Sequence, residues 1–266
     1  MKKYCVIGYP VSHSLSPRLF NAAFKKLKIA ARYELAEVDP ENFGEFILNF
    51  KLNFAGANVT IPHKQAVLEY LDKISPEAKK IGAVNMIVNK NGKLIGYNTD
   101  VFGAMAAIKS EIKSLRGKNA VVLGAGGAAR AVVYGLKKAG AKVLILNRTI
   151  EHAKNLAKDF KCEFGGLKDF AANKCDFLIN TTSVGMKREK GDYKGQSPLP
   201  SLRELLKNSK KKPVAMDIIY TPHITKFLRD AASVGCKIIT GDKMFLAQAQ
   251  KTFEIWTGRK AKLTLN

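Results

Sequence analysis

The sequence predicts an α/β fold in two units, and three observations carry that reading. Short apolar runs rich in Val, Ile and Leu alternate with amphipathic stretches along the whole chain. A glycine cluster, Gly124-Ala125-Gly126-Gly127, stands between one such run and an apolar helix. Further apolar runs then recur with helical or turn-rich sequence between them, the pattern of a doubly wound parallel sheet.

Taken in order, Tyr4 to Gly8 reads as a strand and Pro17 to Ile29 as a helix. Ser16 is the expected N-cap with Pro17 at the first helical position, and Leu19, Phe20, Ala23, Phe24 and Leu27 share the face turned to the sheet. Tyr33 to Val38 and Phe54 to Val59 are strands, Pro62 opens the next helix, and Asn91-Gly92 joins Met86–Val88 to Leu94–Tyr97 in a tight hairpin. A second unit starts near residue 102. Its strands are Lys118–Leu123, Val143–Leu146, Phe177–Ile179, Val214–Ile218 and Lys237–Ile239. The last helix, Lys243 to Thr257, carries Phe245, Leu246, Ala249, Phe253 and Trp256 and is expected to return to the first unit. The expected division is therefore 1–101 with 243–266, and 102–242.

With 266 residues, 46% of them hydrophobic, the chain can bury a sizeable core. No apolar run approaches the ~18 to 20 residues that span a bilayer, and the start turns polar too soon for a signal peptide, so a cytoplasmic protein is expected. Cys5, Cys162, Cys175 and Cys236 are far apart and form no C-x-x-C pair, which points to neither a metal site nor a disulfide framework. The net charge of +23 attracts anions over long range. Its lysines are scattered, with Lys210-Lys211-Lys212 the one run of three, and no aromatic interleaving marks a nucleic-acid platform. Neither a nucleic-acid nor a membrane partner is expected, and the assembly is read as a monomer or homodimer.

A glycine turn between strand and helix lets the backbone approach a pyrophosphate, which the helix N-terminus favours. Gly124, Ala125, Gly126, Gly127 and Ala128 stand in that context. At the end of the next strand an NAD protein usually places a carboxylate for the ribose hydroxyls, whereas here stand Asn147, Arg148 and Thr149. A carboxylate would repel a 2′-phosphate; the Arg148 guanidinium can fork onto it. NADP is therefore the cofactor these residues favour, the alternative being that Arg148 merely pairs with a helix carboxylate such as Glu151.

Ser12, Ser14 and Ser16 crowd the loop after the first strand, where hydroxyls beside a helix start can hold a carboxylate, or serve simply as turn and cap residues. Asn58 to Lys64 supplies Thr60 at a strand end and then a lysine in the expected first turn after Pro62. The positive end of a helix disfavours a further cation, which suits a lysine that exchanges a proton with a substrate hydroxyl. His63 is the competing base. Asn85 at the start of the hairpin and Asp100 at its exit add donors and acceptors of the kind a polyol needs, and Asp100 is equally placed to cap the following helix.

These residues together resemble the shikimate dehydrogenase family, along nearly the whole chain. The ordered set is Gly8-Tyr9-Pro10 with Ser14-Leu15-Ser16-Pro17, Asn58 to Lys64, Gly82 to Asn85, Asn98-Thr99-Asp100, Gly124 to Ala131, Asn147-Arg148-Thr149, Asn180 to Met186, Asp217 with Tyr220 and Pro222, and Gly241 to Gln248. The resemblance implies a substrate domain followed by a Rossmann-type NADP domain, and the reversible NADPH-dependent reduction of 3-dehydroshikimate to shikimate on the route to the aromatic amino acids. It implies Lys64 as general acid and base with Asp100 as its partner, Ser14 and Ser16 on the substrate carboxylate, and Thr60, Asn85, Tyr220 and Gln248 on the ring. It also implies Ile218, Gly241 and Met244 along the nicotinamide. Departures from the family pattern are Phe20 where a histidine is frequent, Phe245 for leucine, and His152 where a second basic residue usually follows Asn-Arg-Thr. A neutral imidazole at His152, counted with the 2′-phosphate set, opens the alternative of a quinate/shikimate dehydrogenase with relaxed use of NAD. A non-catalytic dinucleotide sensor is the alternative from another class.

Overall fold

The computed structural model describes residues 1–187 and 195–265. The chain divides into two compact units, Met1–Thr99 with Gln248–Asn266, and Asp100–Ala247.

The first unit runs β1 (Lys2–Gly8), α1 (Ser16–Lys26), β2 (Ala31–Glu37), α2 (Phe43–Asn53), β3 (Gly56–Val59), β4 (Lys73–Ile74), α3 (Pro76–Ile81), β5 (Met86–Lys90) and β6 (Lys93–Tyr97). They form one sheet in the order β2-β1-β3-β5-β6-β4. β1 is parallel to β2 and β3, whereas β5 is antiparallel to both β3 and β6. The hairpin closes on Asn91 and Gly92, both at positive φ (53° and 82°), as a two-residue turn requires.

Two local expectations are corrected. Leu15, not Ser16, is the N-cap of α1; Ser16 is already helical, and Ser14 Oγ accepts its amide at 3.3 Å. The helix also stops at Lys26, and Lys28 takes a positive φ. After Pro62 no α-helix forms: a turn leads into a short 3₁₀ helix, Ala66–Tyr70. The cause lies at Asp72. Its amide bonds the Leu94 carbonyl (3.0 Å) and its carboxylate accepts the Leu94 amide (2.7 Å), which returns the chain to the sheet before an α-helix can propagate.

The second unit runs α4 (Asp100–Lys109), β7 (Asn119–Leu123), α5 (Gly127–Lys138), β8 (Lys142–Leu146), α6 (Ile150–Phe160), β9 (Glu163–Gly165), β10 (Phe177–Asn180), α7 (Leu202–Lys207), β11 (Val214–Asp217), α8 (Lys226–Ala232), β12 (Ile238–Ile239) and the start of α9 (Gly241–Thr257). Its sheet is parallel throughout, in the order β12-β11-β10-β7-β8-β9. The chain therefore winds outward from β7 in one direction and from β10 in the other, and the direction reverses between these two strands. β7 and β10 are buried almost throughout, as central strands covered on both faces must be.

The end of α9 belongs to the first unit, where Phe253 and Trp256 complete an aromatic cluster with Tyr4, Phe20, Phe24 and Tyr33. Phe20 stacks on Tyr33 at 4.7 Å, and the Trp256 indole donates to the Ile87 carbonyl at 3.0 Å. Glycine is required at position 56, because a Cβ there would lie 2.6 Å from Trp256 Nε1 and 2.7 Å from the same carbonyl. Truncation of a buried aromatic of this size costs about 3–5 kcal/mol. Trp256→Ala is expected to lose that much in urea unfolding followed by far-ultraviolet circular dichroism, and a loss below about 1 kcal/mol would show that the cluster is not the core of this unit.

Candidate functional site

In the first unit the predicted residues gather where β1 and β3 leave the sheet. β1 and β3 are in register at Ile7 and Val59, the Thr60 amide bonds the Ile7 carbonyl (2.9 Å), and Tyr9 bonds the Ile61 carbonyl (3.0 Å). The two loops are thereby laced together. Gly8 cannot carry a side chain, since a Cβ would strike the Thr60 methyl and stand 3.0 Å from the Ile61 carbonyl. The serine loop is held by Glu37, the last residue of β2, whose carboxylate accepts the amides of Val11 (2.9 Å) and Ser12 (3.2 Å). Ser14 stays half-buried; Ser16 is buried at the start of α1.

Lys64 lies half-buried in the turn after β3, and its carbonyl accepts the Val84 amide at 2.8 Å. No α-helix begins there, so the helix N-terminus expected from Pro62 onward is not formed beside it. His63 is an unsuitable proton carrier: it is 1% exposed, its Nε2 lies 2.6 Å from the Val38 carbonyl, and its ring stacks on Phe43 at 4.1 Å. Asn85 is joined to Thr99 in both directions, donating from Nδ2 to Thr99 Oγ1 (3.0 Å) and accepting the Thr99 amide (2.6 Å). Thr99 Oγ1 in turn lies 3.3 Å from Gln248 Oε1 and 3.0 Å from Thr252 Oγ1. Asn85 and Gln248, 163 positions apart in sequence, thus share one buried hydroxyl. Glu37 and Thr99 carry no sequence signature of their own; Glu37 reaches the serine loop because the β1–β2 register sets it beside Gly8.

In the second unit Asp100 is buried as the first residue of α4. Gly124 follows β7 with φ 107°, and a Cβ there would lie 2.8 Å from Thr181 Oγ1, so both conformation and space demand glycine. Gly126 is the N-cap of α5, and nothing lies within 4 Å of the position a Cβ would take. The backbone of the turn is therefore open at a helix N-terminus, an arrangement that fits the pyrophosphate of a dinucleotide. Arg148 and Thr149 are exposed beyond β8, and Asn147 Nδ2 donates to the Thr149 carbonyl at 2.9 Å. Glu151 pairs with Lys154 at 3.5 Å rather than with Arg148. His152 is exposed in the first turn of α6. Beyond β11, Ile218 is half-buried, Tyr220 stacks on Phe245 at 4.4 Å, and Met244 is 6% exposed. Gly241 packs on the main chain itself: a Cβ would lie 2.7 Å from the Ile218 carbonyl carbon and closer still to the Ile219 peptide.

Asp217 ends β11 fully buried. Burial pushes its carboxyl up to about 7, against the opposing hydrogen bonds from the Ile219 amide, Thr225 and Asn180. Among the described residues no group of three or more His, Cys, Asp and Glu side chains is placed to hold a metal ion, and no helix is long and apolar enough to cross a membrane.

A parallel sheet wound in this order, with an open glycine turn at its switch point and an arginine past its second strand, defines a dinucleotide-binding α/β protein. Residues 6–87 match the shikimate dehydrogenase substrate binding domain family, and residues 106–189 match the shikimate/quinate 5-dehydrogenase family. A curated relative from Carboxydothermus hydrogenoformans, named shikimate dehydrogenase (NADP(+)), is 42% identical over 95% of this chain and 90% of its own length. The crystal structure of shikimate 5-dehydrogenase from Thermus thermophilus, in complex with NADP(H) and shikimate, superposes with a TM-score of 0.86 at 38% identity, over 98% of this chain and 95% of that one. The Listeria monocytogenes enzyme, crystallised with shikimate and NAD, gives 0.83 at 33% identity over 98% and 93%. The chain belongs to the shikimate dehydrogenase family.

Asp217 also makes stability depend on pH. The folded protein keeps its proton up to about 7, the unfolded chain only to the ordinary 3.8, so its contribution is full below the lower value and is lost as pH rises through the upper one. Between about pH 5 and 8 the melting temperature of the wild type is expected to fall relative to that of Asp217→Asn. Parallel melting curves for the two proteins would contradict the raised value.

Proposed function

We propose that this protein catalyses the reversible reduction of 3-dehydroshikimate to shikimate with NADPH, in the cytoplasm, on the route to the aromatic amino acids. The observation that carries the reading is the buried Asn85–Thr99–Gln248 set, standing in the same unit as Lys64, in a chain of this family. A polyhydroxylated ring needs such fixed amides and hydroxyls, because each unmatched polar group buried with it costs free energy.

NADPH supplies a hydride to the ring ketone when bound. Lys64 gives its Nζ proton to the ketone oxygen as that hydride arrives, and takes it back in the reverse direction; Asp100 is its partner and a ring-hydroxyl acceptor. Ser14 and Ser16 receive the substrate carboxylate on a loop that Glu37 holds by its amides. Thr60, Asn85, Tyr220 and Gln248 hold the ring. The pyrophosphate is held by Gly124 to Ala128, the 2′-phosphate by Asn147, Arg148 and Thr149 with His152 beside them, and the nicotinamide by Ile218, Gly241 and Met244. The protein acts as a monomer or homodimer.

The assay that tests this is NADPH oxidation with 3-dehydroshikimate, with NADH alongside and quinate compared with shikimate in reverse. Turnover selective for NADPH and shikimate is expected; equal rates with NADH and quinate would move the protein to the broader quinate/shikimate activity, and no turnover would refute the reading. Lys64→Ala is expected to lower kcat by about 10²- to 10⁴-fold with a much smaller change in KM for shikimate. A near-normal kcat would remove Lys64 from the proton transfer. Arg148→Ala should weaken NADPH binding by about 1.5–3 kcal/mol, the range for a charged hydrogen bond, and leave NADH binding unchanged. Equal losses for both cofactors would refute the 2′-phosphate assignment.

A further inference from the structure

Asp217 has no part in the chemistry just described, yet it sits where four segments beyond the second sheet meet. Asn180 Nδ2 donates to both of its oxygens at 3.1 Å, the Ile219 amide to Oδ1 at 3.0 Å, and Thr225 Oγ1 to Oδ2 at 2.8 Å. Each donor leads on to a different piece of chain. Asn180 Oδ1 accepts the amide (2.9 Å) and hydroxyl (2.7 Å) of Thr182 and so shapes the turn after β10. Thr225 caps α8 by accepting the Leu228 amide at 3.3 Å. The Ile219 peptide is the surface on which Gly241, at the start of α9, is pressed.

The groups that face this carboxylate are neutral: an amide side chain, a hydroxyl and a backbone N–H. A buried carboxylate with no cation is costly, and a stable fold alone has cheaper solutions in apolar or neutral side chains. What a carboxylate offers here is acceptor capacity on both oxygens of one small planar group, matched to donors converging from three directions. An asparagine would turn an NH₂ group toward one of those donors. The segments so tied carry Ile218, Tyr220, Gly241 and Met244.

We propose that Asp217 is a positioning residue for the cofactor: its carboxylate, through Asn180, Thr225 and the Ile219 amide, sets the backbone that receives the nicotinamide end of the dinucleotide. This rests on the functional reading above, and the test separates the two. NADPH affinity is measured directly by titrating its fluorescence with wild type, Asp217→Asn, Thr225→Val and Thr225→Ser, at about pH 8.5, where the ionised form of Asp217 prevails. The KM for shikimate and the melting temperature are taken beside it. Asp217→Asn is expected to raise the NADPH Kd by about tenfold or more and the shikimate KM by a clearly smaller factor, about threefold or less, because Tyr220 is the one proposed ring contact on the tied segments. Thr225→Val, which removes a donor and leaves the carboxylate, should raise the Kd by about threefold or more, and Thr225→Ser should restore it; this pair decides the matter if Asp217→Asn does not fold. An unchanged NADPH Kd in folded variants overturns the positioning role, as does a parallel rise of Kd and shikimate KM, which would mean general loosening. Failure of the wild type to bind NADPH would instead remove the functional reading, and this proposal with it.

Discussion

The hydrogen bonds that pair β10 with β7 and β11 set Leu123, Asn180 and Asp217 level with one another, and β8 brings Leu146 to the same height. Four chains therefore leave one edge of the sheet together, and the residues that follow them, Gly124, Thr181, Ile218 and Asn147, begin from a common line. The same holds in the first unit, where Ile7 and Val59 are paired and Gly8 and Thr60 come next. Backbone groups that a strand no longer satisfies accumulate at such an edge and must find partners. Thr181 Oγ1, bonded to the Leu123 carbonyl at 2.7 Å, and the Thr60 amide on Ile7 are two of the solutions. The glycine turn, the serine loop, Thr60 and the Asn147–Thr149 segment all stand on these exits.

The groups proposed to touch ligands are themselves held by others that do not. Glu37 fixes the serine loop, Thr99 joins Asn85 to Gln248, and Asp217 gathers the loops beyond β10 and β11. Each of these supports is a strand-end or loop residue acting mostly on backbone amides or neutral side chains. The large positive charge has a separate role. Pairs such as Lys154–Glu151, with both side chains more than half exposed, add little to stability. Glu111, shared between Lys237 and Lys243 and held down to about 2 by them, is a denser exception. The net charge of +23 sets up a long-range field suited to anionic small molecules.

Much of this was legible in the sequence, because periodicity and glycine chemistry are local. The strand before Gly124 and the helix after it, the Asn91-Gly92 hairpin, and the alternation in the second unit all rest on neighbouring residues. What was not legible depends on distant partners. The helix expected after Pro62 fails because Leu94 draws Asp72 back to the sheet, and Ser16 loses the N-cap because Leu15 takes that place while the Ser14 hydroxyl turns to the Ser16 amide. His63 reads as a base in sequence, and it is the distant Phe43 ring and Val38 carbonyl that take it out of that role. Asp217 appeared in sequence only as part of an ordered motif; its partners at 180 and 225 become visible once β10 and β11 lie side by side.

The placement of Trp256 has a spectroscopic consequence. It is the one tryptophan of the chain and lies within the aromatic cluster of the first unit. Emission excited selectively at the indole therefore reports the environment of that unit alone, with no label added, whereas calorimetry records heat from both. Comparing the two signals during denaturation measures how cooperatively the units melt, and so reveals whether one free energy of unfolding describes the whole chain.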